Sequence, residues 1–80
     1  MKLGVYSLQK VLFQGEAREV NCATKAGVIT ILDHHEPLIS VLVAGTMKII
    51  DGGNKEHYIP LSSGFLEVRA SGQTKILVEA

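Results

Sequence analysis

Histidines beside an acid and a single cysteine are the side chains in this sequence that could bind a metal ion. His34, His35 and Glu36 are consecutive, and His57 and Cys22 are the other candidate soft ligands. Adjacent residues on a strand point to opposite faces, so His34 and His35 are badly placed to share one ion. No zinc-type spacing links them to the other two. The pattern predicts structural or surface histidines and no metal site.

The sequence contains no recognisable nucleophile. Cys22 follows Val20 at strand spacing, which predicts a small core residue and not an activated thiol. Ser62 and Ser63 precede Gly64, but a nucleophile elbow needs a glycine on both sides of its serine and a helix after it. A small hydrolase would need one of the adjacent histidines in a pocket beside the cysteine or a serine. We therefore predict no catalytic residue and no cofactor.

The pair Met47-Lys48 favours one alternative function. Biotinyl and lipoyl carrier domains are also all-β, have a similar length, and carry their cofactor on a lysine that often lies beside methionine. That lysine must stand at the tip of a tight hairpin. Here the nearest turn signal is the run 51–53, Asp-Gly-Gly, which places Lys48 within a strand. A carrier domain with Lys48 as its attachment site is the alternative hypothesis.

Composition limits the class of protein. The 80 residues suffice for one domain, residues 1–80, and 46% of them are hydrophobic. Eight lysines and arginines balance eight acids, which disfavours non-specific binding to nucleic acid. No apolar run approaches the roughly 20 residues that cross a bilayer, and the start lacks the features of a secretory signal. A lone cysteine excludes an internal disulfide. We expect a soluble, intracellular domain.

Short runs rich in β-branched residues, separated by turn residues, predict an all-β sandwich or barrel. The segment 38–43 is apolar at both alternating sets of positions, so we expect a strand covered on both faces. In the segment 64–70, Leu66 and Val68 should face inward and Glu67 outward. Nine strands are predicted: Leu3–Leu8, Val11–Gln14, Arg18–Ala23, Val28–Leu32, Leu38–Val43, Thr46–Asp51, Lys55–Pro60, Gly64–Ala70 and Thr74–Glu79.

Two stretches carry a family resemblance. Residues 27–38 read Gly-Val-Ile-Thr-Ile-Leu-Asp-His-His-Glu-Pro-Leu, with Leu42 and Gly45 following, and residues 59–68 read Ile-Pro-Leu-Ser-Ser-Gly-Phe-Leu-Glu-Val. They resemble the signatures of the epsilon subunit of the F-type ATP synthase: a short apolar strand before His-x-Pro-Leu, and a Ser-Gly-Gly-Phe-x-Glu-Val strand. Residues 11–16 and 76–78 also fit, so the resemblance covers essentially the whole chain.

The resemblance implies a two-layer β-sandwich of about nine to ten short, mostly antiparallel strands. It further implies a non-catalytic rotor subunit in the central stalk, which links the gamma subunit to the membrane c-ring and couples ion translocation to ATP synthesis. Such a subunit lies on the cytoplasmic face of an energy-transducing membrane and touches the membrane only through the c-ring. The implied c-ring contacts are Thr24, Lys25, Ala26, Gly27 and Val28; the implied gamma contacts are His34, His35, Pro37, Leu38 and Glu67.

The chain departs from the family pattern in several places. Asp33 replaces a usual proline, His34 a glycine or polar residue, and Val28 an acid. Ser63 replaces the first glycine of a pair, which implies a backbone position that accepts a Cβ. The chain ends at Ala80, before the pair of helices that most members carry. It is therefore either a subunit without that arm or part of a longer one.

Overall fold

The computed structural model describes residues 1–79, and its regular structure is entirely β, which confirms the predicted fold class. None of these residues belongs to a helix that could span a membrane. Eight strands form, where nine or ten were predicted. They are β1 (Lys2–Tyr6), β2 (Val11–Thr24), β3 (Gly27–Leu32), β4 (Leu38–Leu42), β5 (Gly45–Asp51), β6 (Glu56–Leu61), β7 (Ser63–Val68) and β8 (Gln73–Glu79).

The strands form the two layers of a β-sandwich. The first layer contains the beginning of β2, then β1, β8, β7 and β4 in that order, and the second contains β3, the end of β2, β5 and β6. All of these pairs are antiparallel except β1–β8, which is parallel. Strand β2 therefore belongs to both layers and connects them. The prediction of mostly antiparallel strands is confirmed.

The predicted break at Gly15 is wrong, and this explains the lower strand count. Sequence reasoning separated Val11–Gln14 from Arg18–Ala23, whereas one strand of 14 residues covers both. Gly15 adopts φ +148, which a residue with a Cβ rarely does, and the register with β5 shifts between Ala17 and Glu19. The glycine and the bulge let the strand bend from one layer into the other without ending.

The core lies between the two layers, and strand alternation builds it. In β7, Leu66 and Val68 are buried while Glu67 points outward, as predicted. Cys22 is also buried, with 2% of its surface exposed, which confirms its predicted role as a small core residue. The largest fully buried side chains share this inward orientation: Ile31, Leu42, Met47, Ile49, Leu66, Ile76, Val5, Val20 and Cys22.

A close approach between β7 and β8 explains the surviving glycine of the family's glycine pair. A Cβ on Gly64 would lie 2.6 Å from the carbonyl oxygen of Leu77, which is backbone and cannot yield. Ser63, immediately before it, is exposed at the start of β7. The first position of the pair therefore accepts a Cβ, as the sequence implied, and the second does not.

The prediction that β4 is covered on both faces is wrong. Only Leu42 of this strand is buried, whereas Ile39 is 74% exposed and Val41 is 48% exposed. The strand has the second layer on one side, and no described residue covers the other. Its apolar residues therefore serve two purposes, since one set fills the core and the other lies on the surface.

Candidate interaction surfaces

A continuous line of apolar side chains crosses the outer face of the first layer. Successive strand registers place Val41 opposite Phe65, Phe65 opposite Leu77, Leu77 opposite Tyr6, and Tyr6 opposite Val11. We call these five residues the apolar row. Adjacent strands lie about 4.8 Å apart, so the row is about 19 Å long. Phe65, Leu77 and Val11 are 57%, 52% and 54% exposed, and a row of this kind marks an interaction site.

The turn between β1 and β2 extends the apolar surface. Leu8, at its tip, is fully exposed. The turn is ordered, because the Ser7 hydroxyl accepts hydrogen bonds from the backbone nitrogens of Gln9 and Lys10 at 3.3 and 3.2 Å. A groove lies between this turn, the start of β7 and the end of β8. Leu8 is therefore held outward beside the row.

Polar groups border the apolar row on one side. Glu67 lies opposite Ile39 on β4 and Lys75 on β8. These three residues lie on the same face as the row, two residues away along each strand. The Arg69 Nε donates to Glu67 Oε1 at 3.2 Å, and the Lys75 ammonium lies 6.0 Å from the centre of the Tyr6 ring. An apolar centre with a polar margin is the usual composition of a protein–protein interface.

The residues predicted to contact gamma lie next to this surface. Leu38 begins β4 and packs partly against the core, and Glu67 points outward from the neighbouring β7. His34, His35 and Pro37 belong to the exposed loop that leads into β4. The structure thus brings Leu38 and Glu67 to one sheet but to opposite faces of it, and leaves the two histidines on the connecting loop, away from the buried Cys22.

The same loop contains two departures from the family pattern. His34 has φ +64, a left-handed backbone conformation that glycine adopts more readily. Asp33 accepts a hydrogen bond from the amino group of Met1, and this contact holds the pKa of the Asp33 carboxyl below its usual range. The aspartate thus anchors the loop to the start of β1.

The residues predicted to contact the c-ring form the tip of the β2–β3 hairpin. The Thr24 hydroxyl closes the turn: it accepts from the Ala26 nitrogen at 3.1 Å and donates to the Gly27 carbonyl at 2.8 Å. Val28, just after the turn, is 75% exposed. The Lys25 side chain is exposed and has no acid within ion-pair distance among residues 1–79. A rigid tip thus presents an unpaired cation.

The environment of Lys48 does not fit a carrier domain. Lys48 lies within β5 opposite Tyr58, and its ammonium is 3.4 Å from a Glu56 carboxylate oxygen. An attachment lysine has to stand free at a turn. Nor does the thiol offer chemistry, because burial raises the pKa of Cys22 to about 11. Within the described part of the chain, no three potential ligands cluster as a metal site would require.

Sequence reasoning missed one polar cluster at the β5–β6 hairpin. Asp51 Oδ2 lies 2.8 Å from His57 Nε2, and Asp51 Oδ1 accepts from the backbone nitrogens of Gly53 and Lys55, both at 2.9 Å. The contact with His57, followed by these backbone bonds, lowers the pKa of Asp51. The Phe13 ring meets the His57 ring edge-on, with centroids 5.1 Å apart. The Asp-Gly turn signal was visible, but its pairing with His57 depends on strand register.

Known proteins resemble this chain in sequence. Residues 1–80 match the family described as ATP synthase, Delta/Epsilon chain, beta-sandwich domain. The chain is 35% identical over 79 residues to the ATP synthase epsilon chain of Bordetella petrii, with 99% of this chain and 55% of that protein covered. It is also 35% identical over 79 residues to the epsilon chain of Clostridium novyi, with 60% of that protein covered. The chain spans little more than half the length of these relatives.

Solved structures share the fold. A chain in the Euglena gracilis mitochondrial ATP synthase structure, titled OSCP/F1/c-ring, matches with a TM-score of 0.92 and 21% identity over all of this chain and 51% of that one. One in the Tetrahymena thermophila mitochondrial ATP synthase, titled central stalk/cring, matches with a TM-score of 0.86 and 18% identity, covering 63% of that chain. The family match and the sequence relatives confirm the predicted family. The chain belongs to the ATP synthase delta/epsilon chain family and matches its beta-sandwich domain.

Proposed function

We propose that this chain is a non-catalytic rotor element of the F-type ATP synthase, linking the gamma subunit to the membrane c-ring. In that position it couples ion translocation to ATP synthesis without a cofactor. The apolar row carries the proposal. Four apolar side chains about half exposed on one outer sheet face are typical of a protein that acts by binding other subunits. We further propose that residues 1–80 act as one domain of that subunit.

The gamma subunit is the proposed occupant of the first layer's outer face. Glu67, a predicted gamma contact, points outward from β7, the strand that carries Phe65 of the row. Leu38, the predicted contact on β4, packs inward and would support the strand that carries Val41. The loop with His34, His35 and Pro37 would form the edge of the same interface. A polar edge around an apolar centre excludes water from the contact and favours a defined orientation.

The c-ring is the proposed partner of the hairpin tip formed by residues 24–28. Lys25 is an exposed, unpaired cation on a turn that Thr24 closes. It would pair with an acidic side chain or a carbonyl on a polar loop of the ring. With this contact, the domain would lie at the membrane surface, peripheral and on the cytoplasmic face. The domain itself would touch neither the bilayer nor nucleic acid.

The sandwich suits the transmission of torque. Strand β2 runs through both layers, so the layers are joined by backbone as well as by packing. A close-packed core resists deformation. A domain of this kind keeps its shape while two partners pull on different parts of its surface.

Assembly with the matching gamma subunit and c-ring tests the proposal. We expect the chain to be captured by gamma, and Lys25→Glu to weaken assembly with the ring while leaving the unfolding midpoint unchanged. Lys55→Glu is the matched control, since Lys55 is also exposed, at the end of the turn between β5 and β6. Failure of gamma to capture the chain would contradict the proposal. Equal losses in the two variants, or unfolding of Lys25→Glu, would contradict the role of Lys25.

A further inference from the structure

Strand β3 leaves one of its edges open. It pairs with β2 along its whole length and with no other strand in the described range 1–79. The Ala23 carbonyl accepts from the Val43 nitrogen at 3.0 Å, so the backbone of Ala23 faces away from β3. In an antiparallel pair the bonded positions alternate, so Val28, opposite Ala23, also directs its backbone outward, as do Thr30 and Leu32.

These outward backbone groups are available for another strand. The Leu32 carbonyl accepts from the His35 nitrogen at 3.2 Å. Among residues 1–79, the remaining outward groups of Val28, Thr30 and Leu32 have no backbone partner. A row of unpaired donors and acceptors on a strand edge is a template for pairing.

The composition of β3 does not protect this edge. The strand reads Gly-Val-Ile-Thr-Ile-Leu, with no charge and no proline. Strand β6, at the other side of the same layer, carries Pro60, which lacks an N–H, and the exposed acid Glu56. Proline and charge are the usual means by which proteins prevent edge pairing. One edge of the second layer is therefore protected and the other is not.

The open edge is complementary to itself. If two copies pair antiparallel about a two-fold axis at Thr30, each Val28 lies opposite Leu32 of the second copy and Thr30 lies opposite its equivalent. The outward backbone groups of Val28, Thr30 and Leu32 then face those of the second copy. The second layers of the two copies have their outer faces on the same side of the combined sheet. Val28 and Leu32 are 75% and 52% exposed, so their contact removes apolar surface from water.

The same pairing brings opposite charges together at its ends. Lys25 lies in the turn before β3, and Glu36 lies in the loop after it, together with Asp33, which already bonds the amino group of Met1. Antiparallel packing places the turn of one copy beside the loop of the other. An unrelated extended segment could pair with the same backbone groups, but nothing requires it to carry the matching apolar residues and charges. The match therefore favours a second copy as the occupant.

We propose that the edge of β3 is a strand-addition site whose occupant is a second copy of this chain. The product is one continuous eight-stranded layer through two copies. About four backbone hydrogen bonds, and two more if each Leu32 carbonyl accepts a second donor, make a small interface together with two Val–Leu contacts. This puts the dimer in the weak, concentration-dependent class. This site is separate from the apolar row, but it shares Lys25 and Val28 with the proposed c-ring contact, so the pairing concerns copies that are not bound to the ring. The tests use the isolated chain and therefore do not depend on the proposed function.

Cysteine cross-linking under mild oxidation tests the proposal. Paired residues on neighbouring antiparallel strands have Cα atoms about 5.5 Å apart, within disulfide range. Thr30→Cys should therefore form a disulfide-linked dimer, at a yield at least about tenfold that of Tyr58→Cys. Tyr58 is the matched control because it is 59% exposed and lies mid-strand on the protected edge. The native Cys22 gives little background, since it is buried.

Sedimentation equilibrium on the unlabelled protein gives the second readout. The wild type should shift toward dimer with rising concentration, and Thr30→Pro should remain monomeric. The Thr30 nitrogen faces outward, so proline there spares the β2–β3 ladder, and an unchanged circular dichroism spectrum verifies the fold. A wild type that stays monomeric, equal cross-linking of the two cysteine variants, or a dimer that survives Thr30→Pro and disappears in Phe65→Ser would overturn the proposal.

Discussion

The two layers of the sandwich present different outer faces. In the second layer, the row across four strands reads Tyr58, Lys48, Asn21 and Thr30, each opposite the next. These side chains bond to one another or to neighbouring acids: Thr30 donates to Asn21, and Lys48 pairs with Glu56. The equivalent row of the first layer is the apolar row. The central row of the second layer is polar and internally bonded, whereas the row of the first layer exposes apolar side chains to water.

The difference separates what folding requires from what function adds. Both layers bury the same kind of inner residue, for example Ile49 in β5 and Leu66 in β7. Folding needs these inner faces, and the polar row shows side chains whose hydrogen bonds are made within the same layer. Exposed Phe65 and Leu77 add little to the stability of the isolated domain. Their placement on one line is therefore best explained by a partner.

The largest expected effect compares adjacent residues of β7. Leu66 is fully buried, so Leu66→Ala should lower the free energy of unfolding by about 2–5 kcal/mol. Phe65, its 57% exposed neighbour, should cost less than about 1 kcal/mol on the same substitution. Urea unfolding of the two variants measures both values. Equal losses would mean that the outer face also supports the fold and that the contrast between the faces is false.

A smaller effect concerns the stability of the β5–β6 hairpin of the second layer at low pH. The pKa of Asp51 is lowered in the folded protein, first by His57 and then by backbone donors. Its stabilising contribution is therefore complete above the unfolded pKa of about 3.9 and is lost as the pH falls through the folded pKa. Below about pH 4, this hairpin should loosen, as followed by chemical shifts of its amides. Asp51→Asn should remove that acid-dependent change, and its persistence in the variant would contradict the assignment.

The smallest expected effect lies in the loop that joins the two layers. His34 has φ +64, which costs a residue with a Cβ about 1 kcal/mol, so His34→Gly should raise the free energy of unfolding by about 0.5–1 kcal/mol. His35→Gly is the control, because His35 has no positive φ and glycine there only adds freedom to the unfolded chain. Thermal unfolding of both variants measures the difference. A gain in His35→Gly, or a loss in His34→Gly, would contradict the strain.

Local patterns predicted the strands well and the surfaces poorly. The alternation of Leu66 and Glu67 and the burial of Cys22 follow from period-two spacing and were predictable. The passage of β2 through Gly15 was not, since glycine signals a break and a bend equally. The apolar row was also hidden, because Val41, Phe65 and Leu77 come from three strands and only register aligns them. A single strand such as β4 cannot reveal whether its second apolar face is covered.

Affinity for the matching gamma subunit tests the central claim most directly. The double variant Phe65→Ser/Leu77→Ser changes the apolar row, and Lys48→Ser/Tyr58→Ser changes the polar row of the other layer. Calorimetric titration should show the first variant weakened by about 100-fold, since central apolar residues carry most of an interface's binding energy, and the second by less than about threefold. Both variants must keep a cooperative unfolding transition. Equal affinities, or a greater loss in the polar-row variant, would contradict the claim that the apolar row holds the partner.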